Sequence, residues 1–331
     1  MKSTTTRNNY ANITAIGGFV PDGVRSNDDL AQICDTSDEW IMKRTGIKER
    51  RILADSLATS DMATEAIKNL FDNYKGKSIE DVDVLIVATS TPDMLMPSTA
   101  NIVCEKLGLQ DVWAFDLNAA CSGFLFSLNV ASGLIESGRY KNILVVGADN
   151  ISAFVDIHDR STNILFGDGA SAILLEASDE FGVINSLLKS NGEGKEFLNI
   201  EGGGSLYPSK MNNPEKQFIK QDGKIVFKKA VTAMSETCLE LLEQNNLTAE
   251  DIQWLIPHQA NKRIIDAVGS AINLDESKTL VNIEQYGNTI AATIPLCMWD
   301  NIDKIRKGDF VLLTAFGAGF SWGATLIKWG I

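Results

Sequence analysis

The 331-residue chain holds only two histidines, His158 and His258. That scarcity excludes a histidine-rich metal site and leaves few imidazoles for acid–base chemistry; no metal is expected. Its five cysteines, Cys34, Cys104, Cys121, Cys238 and Cys297, are odd in number, widely spaced and include no Cys-x-x-Cys pair. Neither a disulfide framework nor a zinc knuckle fits, and a reducing cytoplasm is the expected setting. No apolar run approaches the roughly 18–20 residues of a membrane span. Residues 1–9 are polar and lack the apolar segment of a secretory signal, so export is not expected. Basic residues are outnumbered 30 to 43, a net charge of −13. A nucleic-acid partner is therefore disfavoured, and any polyanionic ligand must meet a local basic patch. Phosphate cradles are missing too: Gly76-Lys77-Ser78 imitates the end of a P-loop, but Phe71 stands where its first glycine must be.

What is present is ordinary globular usage, 44% hydrophobic and 22% charged, enough for about two domain equivalents. Residues 82–89 (VDVLIVAT) read as a buried strand, preceded by an amphipathic helix over 60–74 with Ser60 as its cap. A strand over 112–117, a helix over 122–136 and a strand over 142–147 complete a βαβ unit. A weaker echo follows: strands over 252–256, 279–283 and 309–316, and a helix over 289–305. The fold class is α/β, and the echo suggests one duplicated layout, with halves 1–178 and 179–331. The polar, Gly-rich stretch 190–222 reads as surface excursions over the second half.

Cys121 sits in Asn118-Ala119-Ala120-Cys121-Ser122-Gly123-Phe124, between a strand and a helix. Unpaired N–H groups and the helix dipole favour a thiolate there, although a buried, inert thiol is the commoner fate of a lone cysteine. His258, in Pro257-His258-Gln259-Ala260-Asn261, follows a strand, and Asn288, in Tyr286-Gly287-Asn288-Thr289, stands at a strand-to-helix junction. Each is also an ordinary structural position. The run Ala315-Phe316-Gly317-Ala318-Gly319-Phe320 could present backbone N–H groups to an oxyanion. Gly319-Phe320-Ser321-Trp322-Gly323 matches G-x-S-x-G, but a strand-like run follows it and no downstream Asp and His remain, so it reads as a chance match.

These segments, with residues 38–47 (DEWIMKRTGI) and Phe166-Gly167-Asp168-Gly169-Ala170, resemble β-ketoacyl-acyl-carrier-protein synthase III in order along the chain. The resemblance implies the thiolase fold, an internally duplicated five-layered αβαβα architecture working as a homodimer. It implies a nucleophile at Cys121, partners at His258 and Asn288, and an oxyanion hole from the N–H groups of Cys121 and Ala318. Acyl-CoA and malonyl-acyl-carrier-protein are the implied substrates, and no cofactor is implied.

Matching positions for the CoA end are Trp40 and Arg44, with Arg160, Phe227, Asn261 and Arg263 along the pantetheine path. Lys228, Lys229, Lys262 and Arg263 are the basic island offered to an acidic carrier protein. Met96 and Phe316 fall on the acyl pocket, Met96 reaching a partner subunit's. The resemblance assigns His258 and Asn288 to the malonyl-derived enolate, the helix start alone holding the thiolate. Other readings on the same fold are a secondary-metabolite condensing enzyme or acyltransferase and a non-catalytic partner subunit. The joint presence of Cys121, His258 and Asn288 argues against the last. A hydroxymethylglutaryl-CoA synthase is disfavoured by the absence of Glu between Glu80 and Glu105 and between Glu105 and Glu136.

Overall fold

The computed structural model describes residues 9–331; the polar first residues lie outside the described part. Five strands form the first sheet: β1 (Tyr10–Phe19), β2 (Val84–Ala88), β3 (Trp113–Leu117), β4 (Asn142–Asp149) and β5 (Gly169–Ser178), in the order β1-β5-β4-β2-β3. Four form the second: β6 (Gly182–Ser190), β7 (Trp254–Pro257), β8 (Phe310–Gly317) and β9 (Ser321–Lys328), in the order β6-β9-β8-β7. Both sheets start at an antiparallel edge strand, β1 on β5 and β6 on β9. Each continues through a second antiparallel pair to a parallel one, β2 on β4 and β7 on β8. The two layouts therefore share strand order and sense.

Burial explains the layering. β2 reads Val-Leu-Ile-Val-Ala, every residue buried, because helices cover both faces of the sheet. Val84 and Ile86 face inward to a cluster with Phe124, Leu128, Ile294, Val311 and Leu313, so helices α4 (Gly123–Glu136) and α7 (Thr293–Asp300) lie between the sheets. Leu85 and Val87 face outward to Met62, Ile67 and Leu70 of α2 (Thr59–Asn73), beside α3 (Thr99–Leu107). Across the molecule, α5 (Gly223–Gln244) covers the second sheet through Cys238 and Leu241, with α6 (Lys262–Ala271) packed beside it. Each such Val, Leu or Ile contributes about 1.5–3 kcal/mol on burial. This is the five-layered αβαβα arrangement of the thiolase fold.

Local differences from the sequence expectation have local causes. Ala58, not Ser60, is the cap of α2: Asp61 reaches back to accept the Ala58 N–H at 2.8 Å, and Ser60 is buried against the Asp93 carboxylate. The strand expected over 279–283 is a single bridge, Leu255 to Thr279. Asn282, bonded to Gln259 and Asp300, turns the chain there into a short helix, Ile283–Tyr286. The helix expected over 289–305 is three pieces, Ile290–Ala292 and Ile302–Lys304 being 3-10 turns around α7. Ser321–Lys328 is a strand, so Gly319-Phe320-Ser321-Trp322-Gly323 opens a hairpin return, not a nucleophile-bearing helix.

Candidate active site

Cys121 lies in a 3-10 turn, Ala120–Ser122, between β3 and α4. Asn118 takes the Ala120 N–H at 3.1 Å and lets Ala120 adopt a left-handed φ of 49°. The C-terminal hairpin closes over this turn: the Ser122 hydroxyl donates to the Ser321 carbonyl at 2.9 Å, and the Ser321 hydroxyl reaches the Ala119 carbonyl at 2.9 Å. A Cβ at Gly317 would fall 2.7 Å from the Cys121 nitrogen, so only glycine permits that approach. Cys121 is thereby buried among Phe316, Phe320 and Ile290.

That burial works against the expected resting thiolate. Desolvation pushes the Cys121 thiol up to about 12, and the nearby Asp149 carboxylate adds to the rise.

His258 follows β7, its N–H bonded to the Thr314 carbonyl at 2.8 Å. It is buried, and desolvation pushes its imidazole down to about 3, so the ring is neutral at physiological pH. Nδ1 lies 2.6 Å from the hydroxyl of Thr293 on α7. Asn288 is fixed through its main chain, its N–H donating to Leu165 at 2.8 Å and its carbonyl accepting from Gly167 at 3.1 Å. Its side-chain oxygen accepts the Ile290 N–H at 2.9 Å, which leaves the amide NH2 for the cavity. Ile290 holds a left-handed φ of 53°, a conformation costing a β-branched residue about 1 kcal/mol or more.

Cys121, His258, Asn288, Ala318 and Phe316 all line one cavity of about 780 Å³. Trp40, Arg44, Arg160, Phe227, Asn261 and Arg263 line it as well. Arg44 and Arg160 each lie over the Trp40 ring, 4.5 and 4.9 Å from its centroid. Asn261 caps α6 by accepting the Arg263 N–H and donates to the Arg44 carbonyl at 3.0 Å, tying α6 to α1 (Asp38–Thr45). Arg263 lies over Phe227, 5.4 Å from its centroid.

Three expected residues lie off the cavity wall. Met96 is 83% exposed and not on the cavity wall, so no acyl-pocket role is visible within one chain. Lys228 is exposed beside the mouth, and Lys262 is engaged by Asp266 and Glu276, which spends its charge locally. Two features escaped the sequence reading. The stretch 190–222 is not merely a surface excursion: Leu198 and Ile219 are buried in the cavity wall, held where the Ile219 N–H meets the Phe154 carbonyl at 2.8 Å. Lys224, in the first turn of α5, adds a cation to the mouth. Among the described residues no cluster of His, Cys, Asp and Glu could hold a metal ion, and no helix is long and apolar enough to cross a membrane.

Comparison with known proteins agrees with this geometry. A family model described as 3-oxoacyl-[acyl-carrier-protein (ACP)] synthase III matches residues 115–192, and its C-terminal counterpart matches 242–329. The beta-ketoacyl-[acyl-carrier-protein] synthase III 1 of Bacteroides thetaiotaomicron is 49% identical over 322 residues, 96% of each chain. The crystal structure of the 3-oxoacyl-[acyl-carrier-protein] synthase III of Aquifex aeolicus superposes with a TM-score of 0.90 at 41% identity, covering 96% of this chain and 100% of that one. The priming β-ketosynthase of a polyketide biosynthetic pathway superposes with a TM-score of 0.91 at 29% identity, over 100% of this chain and 99% of that one. With near-complete coverage at almost half identity, the chain belongs to the 3-oxoacyl-[acyl-carrier-protein] synthase III family.

Proposed function

We propose that this chain starts fatty-acid synthesis by condensing an acyl-CoA primer with malonyl-acyl-carrier-protein. The observation that carries the reading is the single cavity that joins Cys121, His258 and Asn288 to a mouth built from Trp40, Arg44 and Arg160. In the first half-reaction the Cys121 sulfur attacks the CoA thioester, and the N–H groups of Cys121 and Ala318 stabilise the tetrahedral oxyanion. The C–S bond to CoA breaks, and the thiol proton ends on the departing CoA sulfur. Because Cys121 rests as a thiol, its proton must leave as the sulfur attacks; His258, the imidazole lining the cavity, is too weak a base when buried to hold that proton beforehand and relays it toward the departing CoA sulfur in concert with the attack.

In the second half-reaction malonyl-acyl-carrier-protein replaces CoA. His258 and the Asn288 NH2 donate to its thioester carbonyl, so loss of CO2 leaves a stabilised enolate, which attacks the acyl-Cys121 carbonyl. The C–S bond to Cys121 breaks, a β-ketoacyl thioester departs, and the Cys121 thiolate takes up one proton from solvent to return as the thiol. A neutral imidazole and an amide suit an oxyanion formed in a dry cavity, because neither needs a buried cation beforehand.

Stacking of Arg44 and Arg160 on Trp40 supports a site for the adenine nucleotide of CoA. Lys224, Lys228 and Arg263 support a carrier-protein landing at the mouth, with Lys262 in a lesser part. Leu95 and Met96, each 83% exposed, support a homodimer that covers them and brings Met96 to the partner subunit's acyl pocket. The repeated strand order supports reading 1–178 and 179–331 as the two thiolase-like halves, and CoA-thioester chemistry suits the cytoplasm. The reaction scheme uses no cofactor.

The test is to offer purified protein a panel of acyl-CoA primers with malonyl-acyl-carrier-protein and measure product by mass. A β-ketoacyl-carrier-protein formed with one CO2 per primer supports the reading. Condensation only onto other acceptors would favour a secondary-metabolite role, as in the polyketide neighbour, and no condensation would refute both.

A further inference from the structure

We infer that Asp149 is a positioning residue for Asn288, its buried carboxylate anchoring the turn that aims the Asn288 amide at the substrate. This rests on the proposed role of Asn288 in forming the enolate.

Asp149 is the last residue of β4 in the first sheet and is completely buried. Among the described residues no ion pair meets it. Neutral donors surround it, and they divide between its two oxygens. Oδ1 accepts the Ser90 N–H at 2.7 Å, the Thr91 N–H at 3.2 Å, and the Thr91 and Thr89 hydroxyls at 3.1 and 3.2 Å. Oδ2 accepts the N–H of Ala291 at 3.0 Å, from the other half of the chain. Ala291 belongs to the 3-10 turn Ile290–Ala292, which presses on β4 so closely that a Cβ at Gly147 would lie 2.5 Å from the Ala291 carbonyl oxygen.

The turn needs that anchor. Ile290 holds its left-handed conformation among restraints of which two flank it directly along the backbone, its own N–H on the Asn288 oxygen and the next N–H on Asp149. Releasing the second frees the strained residue to relax. The Ile290 N–H then leaves the Asn288 oxygen, and the amide loses the orientation that points its NH2 into the cavity. Asp149 also lies near enough to Cys121 for its ionised form to oppose the thiolate, while burial pushes its own carboxyl up to about 7.

The donor distribution makes D149N a selective cut. Four donors on Oδ1 hold the carbonyl oxygen of an asparagine there, which turns its NH2 against the Ala291 N–H. Two donors then face each other, so the link between halves is lost while the Thr89–Thr91 cage survives.

Two steps are measured separately on wild type, D149N, N288A and the double variant. Acylation of Cys121 by acyl-CoA is followed by rapid-mixing intact mass, and CO2 release from malonyl-acyl-carrier-protein is followed on preloaded enzyme. The expected result for D149N is acylation at the wild-type rate or faster, with CO2 release reduced about 10- to 100-fold. Adding D149N to N288A is expected to change CO2 release less than about threefold, because both act through one amide. Equal losses in the two steps, or independent losses in the double variant, would overturn the inference. Wild type that forms no acyl-Cys121 would instead refute the proposed function. Should D149N not accumulate as folded protein, T89V removes one hydroxyl from Oδ1 and so loosens the carboxylate whose other oxygen holds the Ala291 N–H. The same split of about threefold is then expected, and parallel losses would overturn the inference.

Discussion

The hydroxyl of Thr293 lies 2.6 Å from Nδ1 of His258 and 3.2 Å from the carbonyl oxygen of Ile290. A hydroxyl has one proton, so its direction sets the imidazole tautomer. Donated to Nδ1, it leaves Nε2 carrying the hydrogen that the enolate oxygen needs. Donated to Ile290, it makes Nδ1 the donor and Nε2 a proton acceptor, the form through which the Cys121 proton is proposed to pass. T293V removes both options and leaves a buried ring nitrogen without its partner, at about 1–3 kcal/mol. Condensation is expected to fall about tenfold or more, with T293S restoring most of it; an unchanged kcat in T293V would remove Thr293 from the scheme.

Alkylation gives a direct reading of the resting thiol. With Cys121 pushed up to about 12, its reaction with iodoacetamide should rise about tenfold per pH unit from about pH 7 to about pH 10 without levelling. A plateau beginning below about pH 8 would show a stabilised thiolate and restore the helix-start account.

Burial of His258 also shapes stability. Its folded value, about 3, lies below the ordinary 6.5, so the unfolded chain takes up the extra proton. The stability tied to the neutral ring is complete above about pH 6.5 and is lost as pH falls, with a limiting slope of about 1.4 kcal/mol per unit. H258Q lacks this uptake, so the stability gap between wild type and H258Q should narrow, or change sign, in favour of H258Q from about pH 6.5 to about pH 4.5 by denaturant titration. A gap independent of pH would show that His258 is protonated alike in both states.

Arg44 and Trp40 are assigned to the nucleotide end of CoA, remote from the bonds that change. R44A should therefore raise KM for acyl-CoA about tenfold and leave kcat and the KM for malonyl-acyl-carrier-protein nearly unaltered. A loss confined to the carrier-protein KM would move Arg44 to the docking surface.

The parallel strands were legible because β2 and β4 are short, β-branched and apolar on both faces, whereas the antiparallel β1, β5 and β6 were not read from the sequence; Cys121, His258 and Asn288 stood out through the ordered motifs around them. Other features depend on contacts between distant residues. Leu198 and Ile219 are isolated apolar residues in a polar stretch, and only the fold shows that they meet in the cavity wall. Asp61 reaching back to Ala58 displaces the cap that Ser60 suggested. The protonation of Cys121 follows from how deeply the C-terminal hairpin buries it, and the link from Asp149 to Ala291 spans 142 positions with no local pattern to announce it.

The central claim is that the primer acyl group is carried on Cys121 and then transferred to the malonyl-derived carbon. The most direct test isolates the acyl-enzyme after reaction with labelled acyl-CoA, removes free CoA, and mixes it with malonyl-acyl-carrier-protein in a single turnover. The account predicts that label leaves the Cys121 peptide and appears in β-ketoacyl-carrier-protein at the same rate, with one CO2 released per acyl group. Label that stays on Cys121 while product forms, or product formed at the wild-type rate by C121S, would contradict it.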